Sequence, residues 1–446
     1  MRKGLLSLGA VAVTAALALA GCSGPSAGSA PGGGATADVN EDGTVNNPES
    51  VKTDPDKLVL WSLFSGGDGA WMDKIVEEYN ATNPKKQVQS VMLVWADYYT
   101  KLTTAVATGN GPDIGISHMS KLPELVAKDV VVPIDDYTSA AGTDWSEYPK
   151  ASQDGVSFDG QHYAIPLDTH AEIMYFNNDL IQKAGIQLDA NGQLPVASSD
   201  DLLGILKQLK DSVGADVSPL ALPQQGDDPY RVWWATYFQM GGAPLVSSDG
   251  TKITMDRATA VKAADFLKGL YDDGYVLPGI EDHQKLFQQG QAAIMFGGTW
   301  ATGAFEQSDG LSFTPQNFPA LFGGSDAAWA DSHTLIIPAN PKRSDEDTQA
   351  AVDFINWVAS QGGLTWAGSG QIPANSQVTS NQAYLDMPFR SSYMHEKDVA
   401  VLPSSNEHFY ALKDTIIKNL DTIWAGQSDS GTAIDNMIAE MGSDLQ

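Results

Sequence analysis

The segment Leu58-Val59-Leu60-Trp61-Ser62-Leu63-Phe64-Ser65-Gly66-Gly67-Asp68-Gly69 constrains the fold most. Leu58 to Leu63 is an apolar run without a turn former, as in a strand buried on both faces. Ala70 to Asn80 then places Trp71, Ile75, Val76 and Tyr79 at helical spacing. The segment reads as strand, loop, helix. Gly66, Gly67 and Gly69 let the backbone approach a bound molecule, and Asp68 stands at the mouth of the helix. In open parallel sheets such loops are where ligands sit. Read locally, the same residues also make an ordinary turn with Asp68 as helix cap. No lysine follows the glycines and the local charge is negative, so this is not a phosphate loop.

A chain of 446 residues, 42% hydrophobic, can bury a large core and is long enough for two domains. Lys plus Arg number 26 against 55 Asp plus Glu, a formal charge of -29. No basic patch is available to neutralise phosphates, which excludes a nucleic-acid binder.

At the N-terminus Arg2 and Lys3 precede an uncharged apolar stretch from Gly4 to Ala20, the pattern of an export signal over 1–21. Leu19-Ala20-Gly21-Cys22 resembles the bacterial lipobox, which implies cleavage before Cys22, lipidation of its sulfur and anchoring to the outer face of the plasma membrane. A plain secretory signal with an incidental cysteine is the alternative. Cys22 is the sole cysteine, so no disulfide can form within the chain. Residues 22–56 are rich in Gly, Ser, Ala, Pro, Asn and Asp, as expected of a disordered tether. No other apolar run reaches spanning length.

From Lys57 onward short apolar runs alternate with amphipathic ones, the α/β signature. Strands are expected at Val88 to Val94, Ile114 to His118, Val130 to Pro133, Ser218 to Leu222 and Ala292 to Phe296. Tyr163 to Asp168 and Glu172 to Asn177 form nearly continuous strand material, a crossing between lobes, and a second crossing is expected at Ala328 to Ile337. Helices are expected at Tyr98 to Thr108, Ser120 to Lys128, Asn178 to Ala184, Ser199 to Val213, Tyr230 to Gln239, Arg257 to Tyr271, His283 to Gly290, Ala350 to Ser360 and Phe409 to Trp424.

Several aromatics fall at loop or helix-start positions: Trp95, Tyr230, Trp233, Trp300, Trp329 and Trp366. Flat rings can stack on the C–H faces of sugars while Asp, Asn, Gln, His and Arg bond hydroxyls, but for any one ring taken alone core packing is the ordinary reading. Trp61 and Trp357 lie in periodic apolar segments and are assigned to the core. Trp300, after Gly298-Thr299 at a strand end, is the foremost site candidate. A catalytic set is missing: the seven histidines show no metal-ligand spacing, no Gly-x-Ser-x-Gly elbow occurs, and no cofactor motif is present. A glycosidase needs only two carboxylates, which counting cannot exclude. Asp189-Ala190-Asn191-Gly192 has no Glu at the twelfth loop position and reads as a turn, not a calcium loop.

Together these segments resemble the extracellular solute-binding proteins of bacterial ABC importers, in the large oligosaccharide-taking class typified by maltose-binding protein. The resemblance rests on Phe64 to Gly69, Tyr79-Asn80, Gly111-Pro112-Asp113-Ile114, Met174 to Gly185, Phe287 to Trp300, and Gly370-Gln371-Ile372-Pro373-Ala374-Asn375. It implies an α/β fold of two lobes, the type II periplasmic-binding-protein fold, with a ligand cleft between lobes joined by hinge segments. The expected division is 57–167 with 328–377 for the N-terminal lobe, and 168–327 with 378–446 for the C-terminal lobe. Carried over by position, the resemblance implies a ligand site from Phe64, Ser65, Asp68, Asp113, His118, Asp168, His170, Tyr230, Trp300, Asp331, His333 and Phe409; Trp95 and Trp233 join as aromatic candidates. Ser117 and His118 stand where maltose-binding protein has an aromatic, so the sugar or its grip differs.

The reading that follows is a monomeric, non-catalytic lipoprotein that closes on a neutral oligosaccharide and hands it to the permease subunits of an importer, with no metal or other cofactor. Two rivals are a surface-anchored glycosidase and a glycan-binding adhesin or sensor. Product release on long incubation separates the first, and preference for polymer over short oligomers the second.

Overall fold

A computed structural model describes residues 39–40, 43–323 and 325–445. The expected signal segment 1–21, Cys22 and the first part of the tether lie outside the described residues. Among those described, no helix is long and apolar enough to cross a membrane.

The strands used below are, in chain order, β1 (Leu58–Ser62), β2 (Val88–Met92), β3 (Ile114–His118), β4 (Ala164–Pro166), β5 (Asp168–Asn177), β6 (Ser218–Ala221), β7 (Ala292–Gly298), β8 (Phe313–Asn317), β9 (Ala328–Asp331), β10 (His333–Ile336), β11 (Ile372–Pro373) and β12 (Ala400–Val401). One sheet runs β2-β1-β3-β10-β4, parallel through β2, β1 and β3 and antiparallel at β10 and β4. The other runs β12-β9-β5-β7-β6, with β8 and β11 also paired to β5. The architecture is the two-lobed type II α/β fold, and each sheet has its own core.

The first core forms where the sequence pattern puts it. Leu58, Leu60 and Trp61 of β1 are buried, and α1 (Gly69–Ala81) lays Met72, Ile75, Val76 and Tyr79 on the sheet, one stripe at helical spacing. Burying one such side chain contributes about 1.5–3 kcal/mol. α2 (Trp95–Ala107) covers the neighbouring region with Tyr98, Leu102 and Ala105. The second core gathers Met174, Phe176, Leu220, Ile294 and Phe296 from the sheet with Trp233 and Tyr237 of α3 (Asp227–Gln239). Trp61 is a core residue as read, whereas Trp357 is only partly buried and packs against the edge of that core, on Tyr79 at 5.4 Å.

The chain switches sheets at Leu167, between β4 and β5, and at Ser332, between β9 and β10. The two crossings are tied together. Leu167 N–H donates to the His333 carbonyl (2.8 Å), and His333 N–H donates to Asp168 Oδ1 (2.9 Å). Ala328 to Asp331 pairs with β5 and β12, so the second switch falls at Ser332, within the expected crossing Ala328 to Ile337 but four residues after the lobe boundary drawn at 328.

Two further expectations need correction. The tether does not stay disordered to residue 56: Val45 is buried in the first core, its N–H donates to the Met92 carbonyl (2.8 Å), and Pro48–Ser50 makes a helical turn. The exposed edge of β2 supplies the unpaired backbone groups that capture it. Val130 to Pro133 is not a strand but makes one isolated bridge, Val131 to Pro338.

Glu396 is buried beside β8 and lends itself to a direct pH test. Its Oε1 accepts from Phe318 N–H (2.6 Å) while Oε2 has no partner among the described residues. Burial, with the Asp326 carboxylate nearby, pushes the acid up to about 8. A folded-state value above the unfolded one means that the stability Glu396 allows is fully present below the ordinary carboxylate range and is lost as pH rises towards 8. Glu396→Gln keeps the acceptor for Phe318 without the charge. The variant should melt above the parent at pH 8, by a margin that shrinks towards zero near pH 5; equal margins at both pH values would refute a buried neutral acid.

Candidate functional site

The carboxyl ends of β1 and β3 meet the two crossings, and a cavity of about 270 Å3 opens there. Of the sequence-derived residues, Phe64, Ser65, Asp68, Trp95, His118, His170, Trp300 and His333 line it. Asp227, Asp228, Arg231, Gln284 and Gln371 join them, and the sequence reading missed all five as site residues.

Each wall has a local cause. β1 ends at Ser62, so Phe64 and Ser65 leave the sheet at the cleft and Asp68 precedes α1. Gly69 is required by close approach: a Cβ there would come within 2.3 Å of the Phe64 carbonyl oxygen and 2.9 Å of Met92 Sδ. Trp95 is the first residue of α2 and stays 37% exposed. Trp300 follows β7, and its ring lies so close over Gly298 that a Cβ there would fall within 1.9 Å of the ring. The Arg231 guanidinium stacks 4.8 Å from the Trp300 ring centroid and 4.6 Å from that of Trp329. Arg231 also pairs with Asp228 (2.8 Å), while Lys413 pairs with Asp227 (2.7 Å). Burial opposes the Arg231 charge, but Asp228, Asp227 and Glu172 outweigh it and raise its proton affinity.

Asp168 forms the floor without reaching the cavity. It is fully buried and accepts from His333 N–H, His333 Nδ1 (2.8 Å), Trp366 Nε1–H (2.8 Å) and His170 Nδ1 (3.3 Å). Burial alone would raise its acid, yet His333 and the imidazole hydrogen bonds hold it well below the usual carboxylate range. Asp168 in turn outweighs the burial that would lower His333 and keeps that imidazole raised. His118 and His170 are driven down, by burial first and then by the neighbouring imidazoles. Burial pushes Asp68 up to about 6, although His333 works against it. Trp366, whose role the sequence left open, is a buried support: it packs on Phe64 at 4.7 Å and holds Asp168.

Five candidates lie elsewhere. Asp113 stands at the amino end of β3, where its Oδ2 accepts from Val59 N–H (2.9 Å); parallel strands present ligands at their carboxyl ends, and Asp113 is at the wrong end. Trp233 is fully buried, donates to the Ala260 carbonyl (3.1 Å) and stacks on Tyr237 at 5.4 Å. Tyr230 is buried in the same core and packs on Trp234 at 5.9 Å. Phe409 is buried there too, 6.4 Å from Trp234. Asp331 is turned from the cavity to Ser120, accepting from its N–H (3.2 Å) and from its hydroxyl. On α3 the cause is helical register: Asp227, Asp228 and Arg231 face the cleft, while Tyr230, Trp233 and Tyr237 face the core.

The site offers aromatic faces beside carboxylates, two amides and a guanidinium, an arrangement that can bind a polar ligand. Among the described residues, one group of metal-ligating side chains converges: His118, His170 and His333.

Comparison with known proteins gives the family. A Brucella abortus (strain 2308) protein described as a binding protein is 22% identical over 396 residues, covering 86% of this chain and 92% of its own length. The diacetylchitobiose binding protein DasA of Streptomyces coelicolor is 26% identical over 210 residues, 46% of this chain and 45% of its own. Among solved structures, the GacH receptor of Streptomyces glaucescens, determined unliganded and with acarbose, superposes with a TM-score of 0.77 at 19% identity, over 87% of this chain and 98% of that one. The model of the bacterial extracellular solute-binding protein family matches residues 65–364, and with the two-sheet fold and the cleft at its crossings this chain belongs to that family.

Proposed function

We propose that this chain is a lipid-anchored, monomeric, non-catalytic receptor that captures a neutral oligosaccharide by hinge closure and delivers it to the permease of an ABC importer at the outer face of the plasma membrane. The observation that carries the reading is the composition of the cleft: Trp95 and Trp300 supply apolar ring surface, Phe64 is buried in the wall behind them, and Asp68, Asp228, Arg231 and Gln371 supply paired donors and acceptors. A sugar ring needs both kinds of surface, on its C–H faces and its hydroxyls. Relatives such as the diacetylchitobiose binding protein support the class of ligand. Lipidation rests on the Leu19 to Cys22 motif. A ligand that touches both lobes binds the closed form better, and that difference shifts the population.

The test is a thermal-shift screen of the protein against neutral di- to pentasaccharides, with amino acids and polyamines as controls. A ligand at about 100 times its dissociation constant adds roughly 2.7 kcal/mol of stability. A rise with one oligosaccharide series supports the reading and gives the linkage; a rise only with a charged control would overturn it.

A further inference from the structure

Three of the seven histidines, far apart in the sequence, meet at the cleft floor. His118 ends β3, His333 begins β10, and His170 lies in β5, the strand that runs into the other sheet. Their ring centroids stand 4.1 Å (His170–His333), 4.9 Å (His118–His333) and 5.4 Å (His118–His170) apart. One ligand nitrogen from each lies within 4.8 Å of the others.

Ordinary packing of neutral imidazoles could give such distances, but it does not require the hydrogen-bond pattern. All three rings are held by the same atom. His118 Nδ1 is 2.7 Å from the Tyr99 hydroxyl, His333 Nδ1 is 2.8 Å from Asp168 Oδ2, and His170 Nδ1 is 3.3 Å from Asp168 Oδ1. On His170 and His333 the Asp168 carboxylate can only accept, so Nδ1–H is donated and the lone pair is on Nε2. His118 Nδ1 shares a hydrogen bond with the Tyr99 hydroxyl, which also accepts from His118 N–H, and this anchors the ring. A carboxylate that fixes the tautomer and orientation of an imidazole in this way is the usual support of a metal-ligating histidine. Here one carboxylate supports two.

Charge and access favour a cation as well. Asp168 and Asp68 act on His333 within a buried site, while all three imidazoles line the cavity and can be reached from it. A tetrahedral ion with nitrogen ligands at 2.0–2.1 Å holds them about 3.3 Å apart, so nitrogens that lie within 4.8 Å of one another need to draw in by up to about 1.5 Å.

We propose that His118, His170 and His333 bind one divalent transition-metal ion of the zinc class, leaving its fourth position open to the cleft. Three neutral imidazoles suit zinc, nickel or copper rather than calcium or magnesium, which take oxygen ligands. Because His118 and His333 belong to one sheet and His170 to the strand entering the other, the ion ties the lobes at their crossing. The inference does not rest on the carbohydrate reading.

The experiment uses the full chain without a histidine tag, stripped by a chelator and dialysed, with the metal alone as probe. Zn2+ titrated by calorimetry should bind at one ion per chain and raise the melting temperature. Co2+ should give the intense visible absorption of a four-coordinate site, which Zn2+ abolishes. His170→Gln should weaken binding by more than about 100-fold, beyond the cost of losing only a supporting partner, and His118→Gln should act alike if the first variant does not fold. The exposed-site variant His408→Gln should leave binding unchanged. No saturable binding, a Co2+ spectrum that stays that of the hexaaqua ion, or equal affinity in a folded His170→Gln or His118→Gln protein would overturn the proposal.

Discussion

Asp168→Ala is expected to cause a large loss of stability, about 3–5 kcal/mol, as when one partner of a buried charged cluster is removed. The carboxylate accepts four hydrogen bonds, from His333 N–H and Nδ1, His170 Nδ1 and Trp366 Nε1, and all three donor residues are buried. Each buried donor left unsatisfied costs about 1–3 kcal/mol, and the cavity adds to it. The loss falls where β5 leaves one sheet and β10 enters the other, so the crossings lose their tie as well. Asp168→Asn should recover only part, because its amide hydrogens would face donors. Chemical denaturation of parent and variants decides the matter: an Asp168→Ala midpoint equal to the parent's would mean that the cluster contributes no net stability.

Trp300→Ala should weaken oligosaccharide binding at least tenfold, about 1.4 kcal/mol or more, without unfolding the protein. The ring is half-buried, fixed over Gly298 and beneath Arg231, and it faces the cavity. Its removal takes away an apolar face and frees the guanidinium that stacks on it. The folded state should survive because the second core is built from Trp233, Phe296 and their neighbours, with Trp300 only packed against its edge. Calorimetry with the sugar identified by thermal shift checks this; retained affinity in a folded variant would remove Trp300 from the site.

What could be read in the sequence was local. The run Leu58 to Ser62, the stripe from Met72 to Tyr79 and the glycines before Trp300 state their own conformation, because burial on a strand or helix repeats at a short period. Phe64, Asp68 and Trp300 were thereby placed at strand ends, and strand ends are where an open sheet presents its ligands. Aromatic type alone misled at Trp233 and Phe409, since a ring of the same chemistry fills a core or a site, and only the helix face decides. Asp227, Asp228 and Arg231 were passed over because they carry no ring, although they stand on the cleft face of the same helix whose other face buries Trp233.

The sequence by itself determined the α/β alternation, the two crossings and the family segments that follow them. Tertiary structure alone decided which side chains meet: that His118, His170 and His333 stand within contact of one another, that Asp168 lies beneath two of them, and that Arg231 fills the space between Trp300 and Trp329. The physical reason is that periodicity is a property of neighbours in the chain. Convergence depends on the register of β3, β5 and β10, fixed by backbone pairing and by the hydrogen bond from His333 to Asp168 across the crossings.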